Sequence, residues 1–465
     1  MTTNLHSRLS HYSSIFSKRK LRRNSLQMAI GLALIFISTL DSVGFTLPNA
    51  TWIEQAKLTA DDAAIFDVFG GSVAVSGDTA VIGARGDESA YVFVRSSSGW
   101  SQQAKLTADD AEADDEFGYS VALDGDTAVI GAYLDDDNGV DDRGSVYVFV
   151  YDGNSWIQQA KLTADDGAEG DRFGFKVALN GETVVIGAPQ DDDSFSNSGS
   201  AYLFVRNDGI WSQQAKLVAN DAAELDEFGN SVAVDGDTAV VGARKDDADF
   251  SNSGAAYLFV RNSGSWSQQA KLTANDATHF DEFGSSVAVD NDTAVIGATG
   301  DDDNGDQSGS AYVFVREGSS WSQQAKLTAD DAASFDQFGN SVAVDGDTAV
   351  VGAWGDTITG FANGSAYLFV REGNIWSQQT KLVASDTFTA DNFGKEVGLD
   401  GKTAIFGAPG NDDADTNSGS AYVFAIPAEI SINDVSLPEA NSGITNFQFT
   451  ITRTDNMDAL SINFS

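Results

Sequence analysis

The chain has 465 residues and no cysteine. Disulfide staples, thiolate metal sites and cysteine nucleophiles are therefore excluded together. Histidine is nearly as scarce: His6 and His11 lie close to the N-terminus, leaving only His279 in the body. Basic residues are few, with 27 lysines and arginines against 69 acids, a formal charge of −42. Six of those cations, Arg8, Lys18, Arg19, Lys20, Arg22 and Arg23, precede residue 45, where only Asp41 opposes them. The remainder holds 21 basic and 68 acidic side chains, a balance of −47. A body so acidic repels nucleic acid and anionic lipid and attracts cations. One apolar run stands out, residues 28–40, and it is shorter than the ~20 residues a membrane helix needs.

That run follows the basic stretch 18–23 and precedes the small residues Ser42, Val43 and Gly44. The order is that of an export signal, predicted to span residues 1–44 and to be cut near Gly44. The alternative is an uncleaved anchor, which would be the only membrane contact.

Internal repetition organises the rest. Trp52, Trp100, Trp156, Trp211, Trp266, Trp321 and Trp376 each open a segment like WSQQAKLTADD, and the last five stand 55 residues apart. Seven Phe-Gly pairs run in phase, from Phe69 to Phe393. The unit from Phe228 contains four strand-like runs: SVAV, TAVVGA, AAYLFVR and WSQQAKL. Asp235-Gly236-Asp237 between the first two is a tight hairpin turn. The first three runs are apolar at odd and even positions alike, so both faces must be buried. Radially stacked four-stranded blades satisfy this, because each sheet is sandwiched between neighbours. The expected fold is an all-β, seven-bladed propeller over residues 51–425. The repeats begin with a lone fourth strand, 51–58, and end on a third strand, so the N-terminal strand is expected to close the ring.

The pattern FG…SVA…GA…G(S/A)AYVF resembles the FG-GAP repeat of integrin α-subunit propellers and their bacterial relatives. The resemblance implies a propeller used for binding or adhesion. Proline completes the motif only at Pro189 and Pro409. Relatives of the integrin type carry a calcium loop between the first two strands. Here that connection has shrunk to Asp-Gly-Asp, too short for the six or more oxygens calcium takes, so that site does not carry over.

Strand alternation places the second-to-third and fourth-to-first loops on one face, and both are acidic. The other face holds the Asp-Gly-Asp turns and Arg95, Arg206, Arg261, Arg316 and Arg371. All seven fourth-to-first loops contain D-x-x-x-x-D-x-F-G, from Asp62/Asp67 to Asp386/Asp391. Such acids either fix turns through backbone amides or ligate metal. The second-to-third loops vary between blades, as a binding surface would. Asp135, Asp137 and Asp141, Asp191 and Asp193, and Asp301, Asp303 and Asp306 could gather hard oxygens around calcium; the alternative is solvated charge. Arg85-Gly86-Asp87 matches a tripeptide of integrin ligands, but its place in the repeat makes it an ordinary loop.

After residue 425 the composition changes. The alternation in ISINDVSL and NFQFTITR predicts strands. Residues 426–465 resemble the opening of a Calx-β domain, which implies a calcium ligand at Glu439. Forty residues are too few for such a sandwich, so the segment is expected to be an incomplete domain.

These features predict an exported, monomeric, non-catalytic module presenting acidic loops to an extracellular protein or polysaccharide ligand, with calcium assistance. The alternative is a propeller-type polysaccharide lyase or glycosidase working through paired carboxylates. The near-identity of the blades leaves no odd unit where a catalytic site would concentrate.

Overall fold

The computed structural model describes residues 51–358 and 362–426, and two short strands, Ile430–Ile432 and Ile451–Arg453. The export segment, Glu439 and most of the C-terminal segment lie outside the described residues. The propeller is all-β: seven four-stranded antiparallel sheets, each a blade.

Strand β1 (Ile53–Leu58) comes first. Blade 1 then consists of β2 (Phe69–Ser76), β3 (Thr79–Ala84), β4 (Ser89–Ser96) and β5 (Gly99–Leu106), hydrogen-bonded in that order. Blades 2 to 6 repeat the scheme. Blade 7 has Val397–Asp400, Thr403–Ala408 and Ser420–Ala425, with β1 as its fourth strand. The pairing runs from Ile53 opposite Ala425 to Leu58 opposite Ala421.

Local sequence explains each element. In the first hairpin of blade 4, Asp235 pairs with Thr238 across two residues, and Gly236 takes φ 55°. Asn291 holds the same left-handed position in blade 5, one of the few residue types that tolerates it. The second strands read TAVVGA or close variants and are buried on both faces. Burial extends across blades: Val185 and Leu203 of blade 3 share a cluster with Val232, Val241 and Tyr257 of blade 4. Phe228 lies within it, its ring 5.4 Å from Tyr257 and 6.0 Å from Phe259.

The two glycines of the repeat are explained by backbone contact between blades. A Cβ on Gly187 would lie 1.9 Å from the Gly229 carbonyl oxygen of the next blade. Gly229 itself has φ 95°, and a Cβ there would lie 2.3 Å from the Ser200 oxygen. Side chains link the outer strands. Trp266 Nε1 donates to Gln214 of the preceding blade at 2.8 Å, and four other tryptophans do likewise. Arg261 pairs with Asp237 of its own blade, stacks on Trp266 and donates to Thr183 of the blade before. The arginines of the less acidic face are thus structural clamps.

Candidate functional site

One lysine per blade, from QAKL or its variant in the fourth strand, stands at the centre of the acidic loops. In blade 5, Lys326 Nζ lies 2.9 Å from Asp276, 2.8 Å from Asp301 and 2.6 Å from Asp303. Lys216 meets Asp166, Asp191 and Asp193 at 2.9, 2.8 and 2.5 Å. Lys161 meets Asp110, Asp135 and Asp137 at 2.8, 2.9 and 3.3 Å. The tyrosine of each third strand completes the set: its hydroxyl donates to Asp301 in blade 5 and to Asp191 in blade 3. In blade 7 the lysine comes from the start of the chain, where Lys57 pairs with Asp386 and Asp413. Burial alone would raise the Asp110 carboxyl, but Lys161 and Tyr147 hold it below its ordinary value.

Six expected calcium ligands, Asp135, Asp137, Asp191, Asp193, Asp301 and Asp303, therefore face an ammonium group. Asp141 and Asp306 are exposed and serve through backbone carbonyls, which accept from Gly170 and Phe335 of the adjoining loop. No group of three or more metal-ligating side chains suited to an ion occurs among the described residues. In the RGD tripeptide, Arg85 pairs with Glu116 and Asp87 with Lys105, so both charges are used internally.

The second acid of D-x-x-x-x-D-x-F-G has a different task. Asp226 is buried and accepts the Ala223 amide at 2.7 Å; all seven equivalents accept the amide three residues back. Burial pushes the Asp115, Asp171, Asp226 and Asp336 carboxyls up to about 6, against the amides that favour the charged form. Seven-fold repetition of this bond marks turn fixing. Blade 1 adds a variant. In blade 3, Asn197 and Ser198 carbonyls receive the Glu227 and Phe228 amides. In blade 1 the loop is too short, and the Glu88 carboxylate takes the Glu116 and Phe117 amides instead. Burial pushes Glu88 up to about 7.

The residue before each fixed aspartate has left-handed backbone, and at four junctions it is bulky and apolar. Phe66, Leu225, Phe280 and Phe335 have φ of 65–71° and are 50–59% exposed. Such a conformation is costly for side chains of this kind. The four lie on the acid-rich face, and Phe280 is joined by His279 and Phe250 from the neighbouring loop.

At the centre of that face is the mouth of the axial channel, a cavity of about 180 Å³ lined by the starts of the first strands. Five blades place serine at the equivalent lining position. Blade 3 places Lys176 there and blade 7 places Glu396, and the two meet at 2.6 Å across the axis. Burial alone would lower the Lys176 ammonium, but Glu396 holds it above its ordinary value. Beside them, Tyr119, Tyr133 and Phe175 form an aromatic cluster with centroids 4.3–5.5 Å apart. Arg85 stacks on Tyr119, Arg172 on Tyr133 and Lys395 on Trp354. The expectation that no unit stands apart is corrected here: the blades are alike in their interiors and differ at the mouth.

Comparison with known proteins agrees with this architecture. The FG-GAP repeat matches seven times, over residues 52–93, 100–149, 156–204, 211–259, 266–314, 321–369 and 376–424. Each match starts at the tryptophan of one blade's fourth strand and ends in the third strand of the next. No protein of curated function matches the sequence. Among solved structures, the crystal structure of Saccharomyces cerevisiae Sqt1 is similar at 12% identity and a TM-score of 0.44, over 86% of this chain and 95% of that one. With seven matches spanning most of its length, the chain belongs to the FG-GAP repeat family.

Proposed function

We propose that the chain is an exported, non-catalytic binding module whose acid-rich face engages an extracellular protein or glycan partner. The observation that carries this reading is the set Phe66, Leu225, Phe280 and Phe335. Bulky apolar side chains on left-handed residues, 50–59% exposed, supply the rigid apolar contacts that binding surfaces use. Calcium assistance belongs to the proposal only where a divalent ion can displace the ammonium group already surrounded by Asp135, Asp191 or Asp301.

The test is a double variant, Phe280→Ser with Phe335→Ser. Surface changes of this kind move stability by about 0.5 kcal/mol or less, so melting should be retained. Binding to a panel of immobilised polysaccharides and purified surface-layer proteins should fall at least tenfold. Undiminished binding by the variant, or binding of the wild type to nothing in the panel, overturns the reading. Release of new reducing ends or unsaturated sugars from a bound polysaccharide overturns its non-catalytic part.

A further inference from the structure

On the less acidic face five blades repeat one triad, in which an arginine lies over the tryptophan of its own blade and pairs with a carboxylate. Arg261 stands 5.2 Å from the Trp266 ring and 2.6 Å from Asp237; Arg316 stands 5.4 Å from Trp321 and 2.6 Å from Asp292. The arrangement suits a guanidinium, whose flat face stacks on a ring while its edge donates to an acid. The acid-rich face holds the ring and the acid without the arginine. Where blades 5 and 6 meet, the Phe335 amide donates to the Asp306 carbonyl at 2.8 Å, so the two residues adjoin. Both are exposed. The lysine of that blade, Lys326, is taken up by Asp276, Asp301 and Asp303, which leaves Asp306 without a cation among the described residues. Where blades 4 and 5 meet, the Phe280 amide donates to the Ser251 carbonyl at 2.9 Å, beside the exposed Asp249 and Phe250 of the same loop. Lys271 is held there by Asp221 and Asp246. Where blades 7 and 1 meet, the Phe66 amide donates to the carbonyl of Thr416, which follows the exposed Asp415.

We propose that these junctions seat arginine side chains of an extracellular polypeptide, each guanidinium lying on an exposed phenylalanine and pairing with the exposed aspartate of the adjoining loop. This names the partner class for the acid-rich face and rests on the reading that this face binds. Charge decides the class. A body with 68 acids and 21 cations repels polyanions, and the lysines of this face are already enclosed by their own acids, so the positive charge comes from the partner. Arginine fits better than lysine, because an ammonium group is a point charge with no flat face to stack. The junctions of blades 4 with 5 and 5 with 6 are neighbours in the ring, so a partner with several arginines engages adjacent seats at once and gains by multivalency.

Fluorescence anisotropy of the full chain with a labelled peptide of arginines spaced by glycine and serine tests this, at about 0.15 M salt. Peptides with lysine or citrulline in place of arginine are the controls. The arginine peptide should bind, the lysine peptide about threefold and the citrulline peptide about tenfold more weakly. Asp249→Asn with Asp306→Asn should weaken binding of the arginine peptide about tenfold, and Phe280→Ser with Phe335→Ser should do the same. Asp208→Asn with Glu317→Gln removes equal charge from exposed turns of the opposite face and should leave the affinity within about twofold. Failure of the arginine peptide to bind overturns the proposal. So does equal binding of the lysine or citrulline peptide, or an equal loss in the Asp249/Asp306 and Asp208/Glu317 variants, which would reduce the effect to net charge. Affinity for the arginine peptide unchanged by the phenylalanine variant removes the seat given to the rings and overturns it as well. A polysaccharide or surface-layer protein that binds the wild type and is lost in the phenylalanine variant, with the arginine peptide unbound, overturns this proposal alone and leaves the acid-rich face as the binding surface.

Discussion

Replacing Lys326 with methionine keeps most of the side-chain stem and removes the charge from a three-acid set. Its consequence depends on which acids can reach water. Asp303 and Asp276 are 61% and 43% exposed, and an ion pair to such groups contributes under about 1 kcal/mol. Asp301 is buried, and removing the partner of a buried charge costs about 3–5 kcal/mol. Asp301 keeps two donors, the Tyr312 hydroxyl at 2.7 Å and the Asp303 amide at 3.1 Å, which places the loss at the lower end, about 3 kcal/mol. At roughly 2 °C per kcal/mol for a domain this large, the melting point should fall by about 6 °C. The variant also leaves three carboxylates converging on a position with no cation, a set of hard oxygens that calcium accepts. Millimolar calcium at matched ionic strength should therefore raise the melting point of the variant by several degrees while leaving the wild type within about 1 °C of its value. Differential scanning fluorimetry measures both. A variant that melts with the wild type refutes the role given to Lys326. Calcium stabilising the wild type as strongly as the variant refutes the claim that ammonium holds the position.

Three further outcomes follow from the geometry. Gly229→Ala should destabilise by about 3 kcal/mol or more, since it combines overpacking with a left-handed backbone; soluble protein with wild-type melting contradicts the blade-contact account. The buried aspartates pushed up to about 6 and Glu88 pushed up to about 7 keep their protons in the folded state after the unfolded chain has lost them. The unfolded state then binds fewer protons, so stability should fall as pH rises from about 4 to 7, and a melting profile that rises or stays flat from pH 5 to 7.5 refutes this. Deleting residues 45–58 removes β1 and Lys57, exposing Ser420–Ala425 as a bare edge; the product should elute as oligomers on size exclusion, and a stable monomer would refute the closing role of β1.

The fold was legible because its causes are local and repeated. Asp235-Gly236-Asp237 dictates a two-residue hairpin, and runs such as TAVVGA demand burial on both faces, which a repeat of 55 residues can satisfy only by stacking on its neighbours. The acids of the second-to-third loops were legible as a charged cluster, but their partner was not. Asp276 and Lys326 are 50 residues apart, and only the antiparallel return of the fourth strand brings them together. Counting charge over the whole chain concealed this, because one lysine per blade is few in number and yet sits where the acids converge.

The axial mouth left a different kind of trace. Aligned on Phe-Gly, the lining position is serine in five blades, lysine in blade 3 and glutamate in blade 7. Two departures of opposite charge from an otherwise constant column are a contact signal in any closed ring, since equivalent positions of a propeller converge on one axis. In seven blades the third and the seventh are as far apart around the ring as two blades can be, so their pairing at 2.6 Å requires both side chains to reach across the channel. A linear array of the same repeats would leave Lys176 and Glu396 far apart, each without its partner. The unlike residues around them, Tyr119, Phe175, Arg172 and Lys395, occupy neighbouring columns of the same alignment. Besides the second-to-third loops, the blades thus differ where they meet at the axis, a region in which changing a single repeat alters a surface shared by all of them.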